Sequence, residues 1–302
     1  MERRKFIKST SVSAVALGLG GLSLNACQKL AKKHITILHT NDVHSHIDAF
    51  PASHSTYPGL GGLARRAALV QKIREENPNT LLLDAGDIFQ GTPYFNFYGG
   101  ELEFELMSML NYDAATLGNH DFDNGIDGLL AQVPNAKFDL ISANYDFSDT
   151  IMDGFTRPYQ TYIRNDIKIG VYGLGIKLQG LVIQKLYKET KYLDPFEIAV
   201  DIETKLKEDE QCDLIICLSH LGYSYENENR PDDIVLAQRT KHTDLIIGGH
   251  THTFLQEPTV VVNAAEREVL VNQVGCYGIN VGRIDFYFDN SSKQASGISL
   301  KV

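Results

Sequence analysis

Tryptophan is absent from the 302 residues and cysteine is scarce, four in all with no Cys-x-x-Cys spacing. Past Cys27 only Cys212, Cys217 and Cys276 remain, which argues against both a disulfide framework and a thiolate zinc site. Cys212 and Cys217 lie five apart around an apolar run, so they are expected as buried thiols on opposite faces of a strand. Long hydrophobic runs are missing too: the apolar stretch from Val12 to Leu24 is too short to span a bilayer. Internal repeats and low-complexity tracts are also lacking. Basic charge is in deficit, 28 Lys and Arg against 38 Asp and Glu, for a net charge of −10. Such a surface repels nucleic-acid backbones, which argues against a nuclease that grips them and against a nucleic-acid partner.

The amino-terminal segment breaks that pattern. Arg3-Arg4-Lys5-Phe6-Ile7-Lys8 is a basic start before the apolar stretch, as in an export signal, and the paired arginines resemble a twin-arginine leader. Leu24-Asn25-Ala26-Cys27 resembles a bacterial lipobox, which makes Cys27 the expected lipidated first residue of the mature chain. Residues 1–26 are then a removable signal peptide, 27–33 a short basic tether, and 34–302 one domain with a sizeable core. Loss of the leader removes four basic residues and Glu2, a net +3, and turns −10 into −13. The expected location is a membrane surface, reached by a lipid anchor and facing the periplasm or the cell exterior.

Five short segments end in metal-binding residue types. They are Asp42-Val43-His44, Gly86-Asp87-Ile88-Phe89-Gln90, Gly118-Asn119-His120-Asp121, Ser219-His220 and Gly249-His250-Thr251-His252. Each follows an apolar, strand-like run: ITILHTN, TLLLDAG, AATLG, LIICLS and LIIGG. Helical patterns over Leu63–Glu76, Leu102–Asn111, Pro195–Lys207 and Asp232–Thr240 alternate with strands, which predicts an α/β fold with a largely parallel sheet. Functional groups in such sheets collect just beyond the carboxyl ends of the strands. The five clusters are therefore expected to converge on one edge of one sheet as a metal site. Val260–Asn263, Val269–Val274 and Val281–Phe288 read as consecutive strands without intervening helices, so a second, more antiparallel sheet is expected against the first.

These segments resemble, in order and in approximate spacing, the five signature blocks of the calcineurin-like metallophosphoesterases (DxH, GDxxx, GNHD, H, GHxH), from about residue 35 to the end of the chain. The wording HTNDVHSH, GDIFQG, GNHDFD, SHLG and GGHTH is similar to the 5'-nucleotidase branch. The resemblance implies a two-sheet β-sandwich flanked by helices on both faces. It also implies two divalent cations, Zn, Mn, Fe or Co, about 3.5–4 Å apart. Asp87 would bridge them, with Asp42, His44 and His252 on the first ion and Asn119, His220 and His250 on the second. Two carboxylates against two dications leave the site positive, which suits a phosphate ester. The implied reaction is attack by a metal-bridging hydroxide on a phosphate monoester, a 5'-nucleotide foremost. His120 would be the acid or charge stabiliser, oriented by Asp123, while Asp121 is given no direct role. Related alternatives are hydrolysis of 2',3'-cyclic nucleotides or of nucleotide-sugar pyrophosphates, and more remotely thiosulfohydrolysis. A non-catalytic surface lipoprotein is the remaining option, against which the retention of His120 weighs.

Other residues are assigned more plainly. His39 falls inside the first strand and is expected to pack, His34 and His54 receive no role, and His46, two past His44, is a candidate substrate contact. Aromatics in Phe95–Glu105 and Phe147–Tyr162 are candidates to stack on a base or sugar, though packing is the more ordinary fate of such rings. Pro58–Gly62 does not follow a strand and is a loop rather than a phosphate-binding fingerprint. Two-domain 5'-nucleotidases that the chain resembles carry a further C-terminal domain that grips the nucleoside. With the sequence ending at Val302, weak nucleoside binding is expected unless a separate polypeptide supplies that part.

Overall fold

Strands with apolar residues on both faces set the architecture, because each must be covered twice. The computed structural model describes residues 32–226, 230–289 and 293–302. The expected signal peptide, Cys27 and most of the tether lie outside the described residues. The first half runs β1 (Lys33–Thr40), α1 (Leu63–Glu76), β2 (Thr80–Asp84), α2 (Pro93–Tyr98), α3 (Glu101–Met109), β3 (Ala114–Ala115), α4 (Gly125–Gln132), β4 (Asp139–Leu140) and β5 (Tyr145–Asp146). Next come β6 (Tyr159–Arg164), β7 (Ile167–Leu174), α5 (Gln184–Tyr187), β8 (Lys191–Tyr192), α6 (Pro195–Glu208), β9 (Leu214–Ser219), α7 (Asp233–Arg239) and β10 (Leu245–Gly248). Four strands close the chain: β11 (Thr259–Val262), β12 (Glu268–Asn272), β13 (Asn280–Phe288) and β14 (Lys293–Lys301).

Two six-stranded sheets result, ordered β14-β13-β1-β2-β3-β4 and β11-β12-β10-β9-β7-β6, with β5 and β8 paired apart. The central pairs β1–β2 and β2–β3 are parallel, as are β7–β9, β9–β10 and β10–β12. Alternation sends Ile35, Ile37, Leu81 and Leu83 of one sheet and Leu214, Ile216, Leu218 and Ile247 of the other into a shared inter-sheet core. The opposite faces carry Leu38 and Leu82 against Val70 and Ile73 of α1, and Ile215 and Cys217 against Ala199 and Leu206 of α6. Burying each such aliphatic side chain contributes about 1.5–3 kcal/mol, which holds the layers together. Residues 32–302 form one compact unit, a mixed α/β sandwich of two sheets with flanking helices.

Two expectations change. The closing strands do not make a sheet of their own: β11 and β12 extend the second sheet beside β10, while β13 and β14 extend the first beside β1. Apolar patterning identifies a strand but not its partner, and β13 finds its partner in β1 at the far end of the domain, antiparallel from Lys33↔Phe288 to His39↔Gly282. The helical pattern at Leu102–Asn111 corresponds to the single helix α3, which Gly99 and Gly100, in left-handed conformations with φ of 60° and 102°, separate from α2. Cys212 lies before β9 rather than within it, so it joins Cys217 in the same outer core instead of facing away from it; both are buried free thiols, as is Cys276.

Candidate metal centre

The five clusters sit just past the ends of β1, β2, β3, β9 and β10. Those strands belong to two sheets, so the clusters meet across the top of the sandwich, which corrects the expectation of a single edge of one sheet. The turns that deliver them are strained. Asp42, His44, Asp87, His250 and His252 have φ of 50°, 49°, 55°, 73° and 51°, a left-handed region that non-glycine residues seldom occupy. Such conformations persist where surrounding structure enforces them and collect at functional sites. The flanking glycines have a mechanical reason: a Cβ on Gly249 would stand 2.7 Å from His220 Nδ1, and one on Gly118 would overlap the Asp87 carboxylate.

Two groups of ligand atoms form, one from Asp42, His44 and His252 and the other from Asp87, His220 and His250, with the atoms of each within 4.8 Å of one another. Asn119 joins the second through its Oδ1, 2.8 Å from His250 Nδ1. Asp87 spans both groups, its Oδ2 lying 3.0 Å from His220 Nε2 and 3.8 Å from His44 Nε2. Asp42 is completely buried and accepts the His250 backbone N–H at 2.9 Å.

The tautomers show what this arrangement needs. His220 Nδ1 donates to the Ala85 carbonyl at 2.7 Å and His44 Nδ1 to that of Phe89 at 3.2 Å, so each presents Nε2 inward. His44 Nε2 then faces His252 Nε2 at 3.0 Å. His220 Nε2 is buried beside Asp87 at a geometry that makes no hydrogen bond. Burial pushes the Asp87 carboxyl up, but the His220 imidazole pulls it down further, to well below the usual carboxylate range. Burial lowers His220, and the Asp87 carboxylate raises it to about 10. Lone pairs and carboxylates converge on shared points that call for positive charge, and mixed N and O donors fit borderline divalent metals.

His120 and Asp123 stand beside these groups. Asp123 Oδ2 accepts from His120 Nδ1 at 2.7 Å, and the His120 backbone N–H donates to Asp87 Oδ1 at 2.8 Å. The hydrogen bond to Asp123 raises the His120 pKa above its ordinary value, against the effect of burial. The imidazole remains partly exposed in the cleft, with Nε2 free to meet a substrate.

Sequence reasoning passed over two residues. Asp121, given no role, accepts four backbone N–H groups: Asp87 at 3.0 Å, Ile88 at 2.9 Å, Phe89 at 3.1 Å and Gly118 at 2.7 Å. It clamps the Asp87 loop to the Asn119 loop, and burial together with Asp87 pushes its pKa up to about 7. Only its place beside Asn119 and His120 hinted at this. Tyr277 was not singled out either, yet it lines the cleft with His46 and the ligand groups. His39 is buried in the strand as expected, with Nε2 2.8 Å from Asn272 Nδ2, while His34 pairs with Asp285 on β13. The aromatics of 95–105 and 147–162 do not line the cleft; Phe95, Phe104 and Phe147 are core residues.

A two-sheet sandwich with paired N/O ligand groups at its strand ends is the framework of a metal-dependent phosphoesterase. The chain belongs to the calcineurin-like phosphoesterase family, whose model matches residues 35–254. It is 34% identical to the snake venom 5'-nucleotidase of Naja atra over 87% of this chain and 52% of that protein. Identity to the human 5'-nucleotidase is 33%, over 84% of this chain and 46% of the relative. The crystal structure of a 5'-nucleotidase precursor from Thermus thermophilus superposes with a TM-score of 0.80 at 34% identity, covering 89% of this chain and 55% of that one. The chain thus spans about half the length of the curated relatives it matches.

Proposed function

We propose that this protein hydrolyses phosphate monoesters, 5'-nucleotides foremost, with Asp42, His44, Asp87, Asn119, His220, His250 and His252 holding two divalent cations. The observation that carries this is one carboxylate, Asp87, within 4 Å of imidazole nitrogens from both ligand groups. When bound, such ions supply Lewis-acid polarisation of phosphoryl oxygens and water activated for attack at neutral pH. The chain does the rest. Asp121 fixes the loops that aim Asp87 and Asn119, the buried sheet ends exclude water from behind the ligands, and His120, held by Asp123, gives its Nε2 proton to the departing alkoxide. The 5'-nucleotidases among its relatives support the substrate class. The ligand set suits Zn, Mn, Fe or Co. A panel of phosphate mono- and diesters, assayed on protein reconstituted with each metal in turn, tests the reading: activity confined to diesters, or undiminished by chelation, overturns it.

We also infer export through the paired arginines and anchoring through a lipidated Cys27, which would place the catalytic domain on a membrane surface. No helix among the described residues is long and apolar enough to cross a membrane. Cys27→Ser is expected to move the protein from the membrane pellet to the soluble fraction in cell fractionation, and an unchanged pellet fraction would refute the anchor. A separate polypeptide supplying nucleoside contacts would show as a gain in nucleotide selectivity when extract is added to the purified chain.

A further inference from the structure

A continuous run of rings leads away from the first ligand group. Tyr277 stands with its ring centroid 5.8 Å from His252 and 6.0 Å from His44. Beyond it lie His46 at 4.4 Å, Phe50 at 5.9 Å and Tyr57 at 6.1 Å, and Tyr57 continues to Phe254 at 6.3 Å. All five rings that contact Tyr277 among the described residues meet it at steep angles, between 53° and 74°, so none of them lies parallel over it. Tyr277 is only partly buried and lines the same cleft as the ligand groups, and Phe254 is 40% exposed farther out. The ring is held in place deliberately. Tyr277 takes φ of 62°, its N–H donates to the Asp42 carbonyl at 2.7 Å, and a Cβ on the following Gly278 would collide with the buried Arg66 guanidinium.

Resting on the phosphoesterase reading above, we propose that Tyr277 and its aromatic neighbours form a stacking subsite for the leaving alcohol, which selects phosphate esters whose alcohol carries a flat aromatic group such as a nucleobase. A parallel ring over Tyr277 is the contact its neighbours among the described residues leave unmade, and offset stacking is a preferred geometry of such pairs. The subsite belongs to the catalytic domain and needs no further domain to exist.

AMP and ribose 5-phosphate test it, since both present the phosphate on the same primary alcohol and differ in the base. The wild type is expected to favour AMP in kcat/KM. Tyr277→Ala should reduce that preference about tenfold, within the range found when stacked bases lose an aromatic partner, and Tyr277→Phe should retain it. An equal loss on both esters, a preference unchanged by Tyr277→Ala, or no preference in the wild type overturns the subsite. A second measurement is independent of catalysis. In saturation-transfer NMR with chelator present, adenosine should contact the wild type more strongly than ribose does and lose that advantage in Tyr277→Ala. Adenosine binding without hydrolysis of either ester would sink the enzymatic reading while keeping the subsite; hydrolysis without adenosine contact would do the reverse.

Discussion

Asp87→Asn is expected to purify with at most one divalent cation per chain and to lose turnover by about 10³-fold or more. The carboxylate is buried and lies 3.0 Å from His220 Nε2 and 3.8 Å from His44 Nε2, so it stands between the two ligand sets, with Asp42 Oδ1 farther from His220 Nε2 at 3.9 Å. An amide keeps the shape and loses the charge. Two dications brought close together repel each other, and the negative charge between them is what offsets the repulsion. Removing it therefore costs affinity for the pair more than for either ion alone. A metal centre of this kind supplies several kcal/mol of transition-state stabilisation, and each ~1.4 kcal/mol lost is a factor of ten in rate. Elemental analysis of the purified variant by mass spectrometry decides the point: two ions per chain would contradict the bridging role. Asp42→Asn, by contrast, should weaken the first ion more than the second, because Asp42 Oδ1 lies 3.4 Å from His252 Nε2.

Much of this centre was legible in the sequence because its parts are local. Each ligand lies a few residues past an apolar run, so strand ends and ligands are read in one glance, and glycines at 86, 118 and 249 mark the turns between them. The limits of α1, Leu63–Glu76, were equally local, set by a loop before and by Asn77-Pro78 after. What stayed hidden depends on partners far along the chain. Which strands share a sheet is decided by pairing across more than two hundred residues, as between β1 and β13, and no periodicity encodes it. Asp121 hides for the same reason: its four donors lie 3 to 34 positions away, and a buried carboxylate clamping backbone looks in sequence like any acidic turn residue. Tyr277 acquires its meaning only when the loop after β12 folds back beside His44 and His252.

His120→Ala should retain both cations yet turn over nucleoside monophosphates about 10²–10⁴-fold more slowly, the usual effect of removing a general acid. The side chain is not among the grouped ligand atoms, so metal content separates this variant from Asp87→Asn. Its Nδ1 is committed to Asp123 at 2.7 Å, which leaves Nε2 to carry the proton toward the leaving oxygen. Aryl phosphates with a stabilised leaving group need little protonation, so p-nitrophenyl phosphate should suffer far less than AMP. The pH profile gives a second handle. The hydrogen bond to Asp123 raises the His120 pKa, so the acid form persists to higher pH, and activity is lost as pH rises through that value. Asp123→Asn removes the charge that strengthens the bond, lowers the His120 pKa and should move the alkaline limb of kcat/KM to lower pH while Asp87 and the other ligands stay in place. An alkaline limb that does not move in Asp123→Asn, or AMP turnover close to wild type in His120→Ala, would remove the pair from the chemistry and leave proton delivery to solvent.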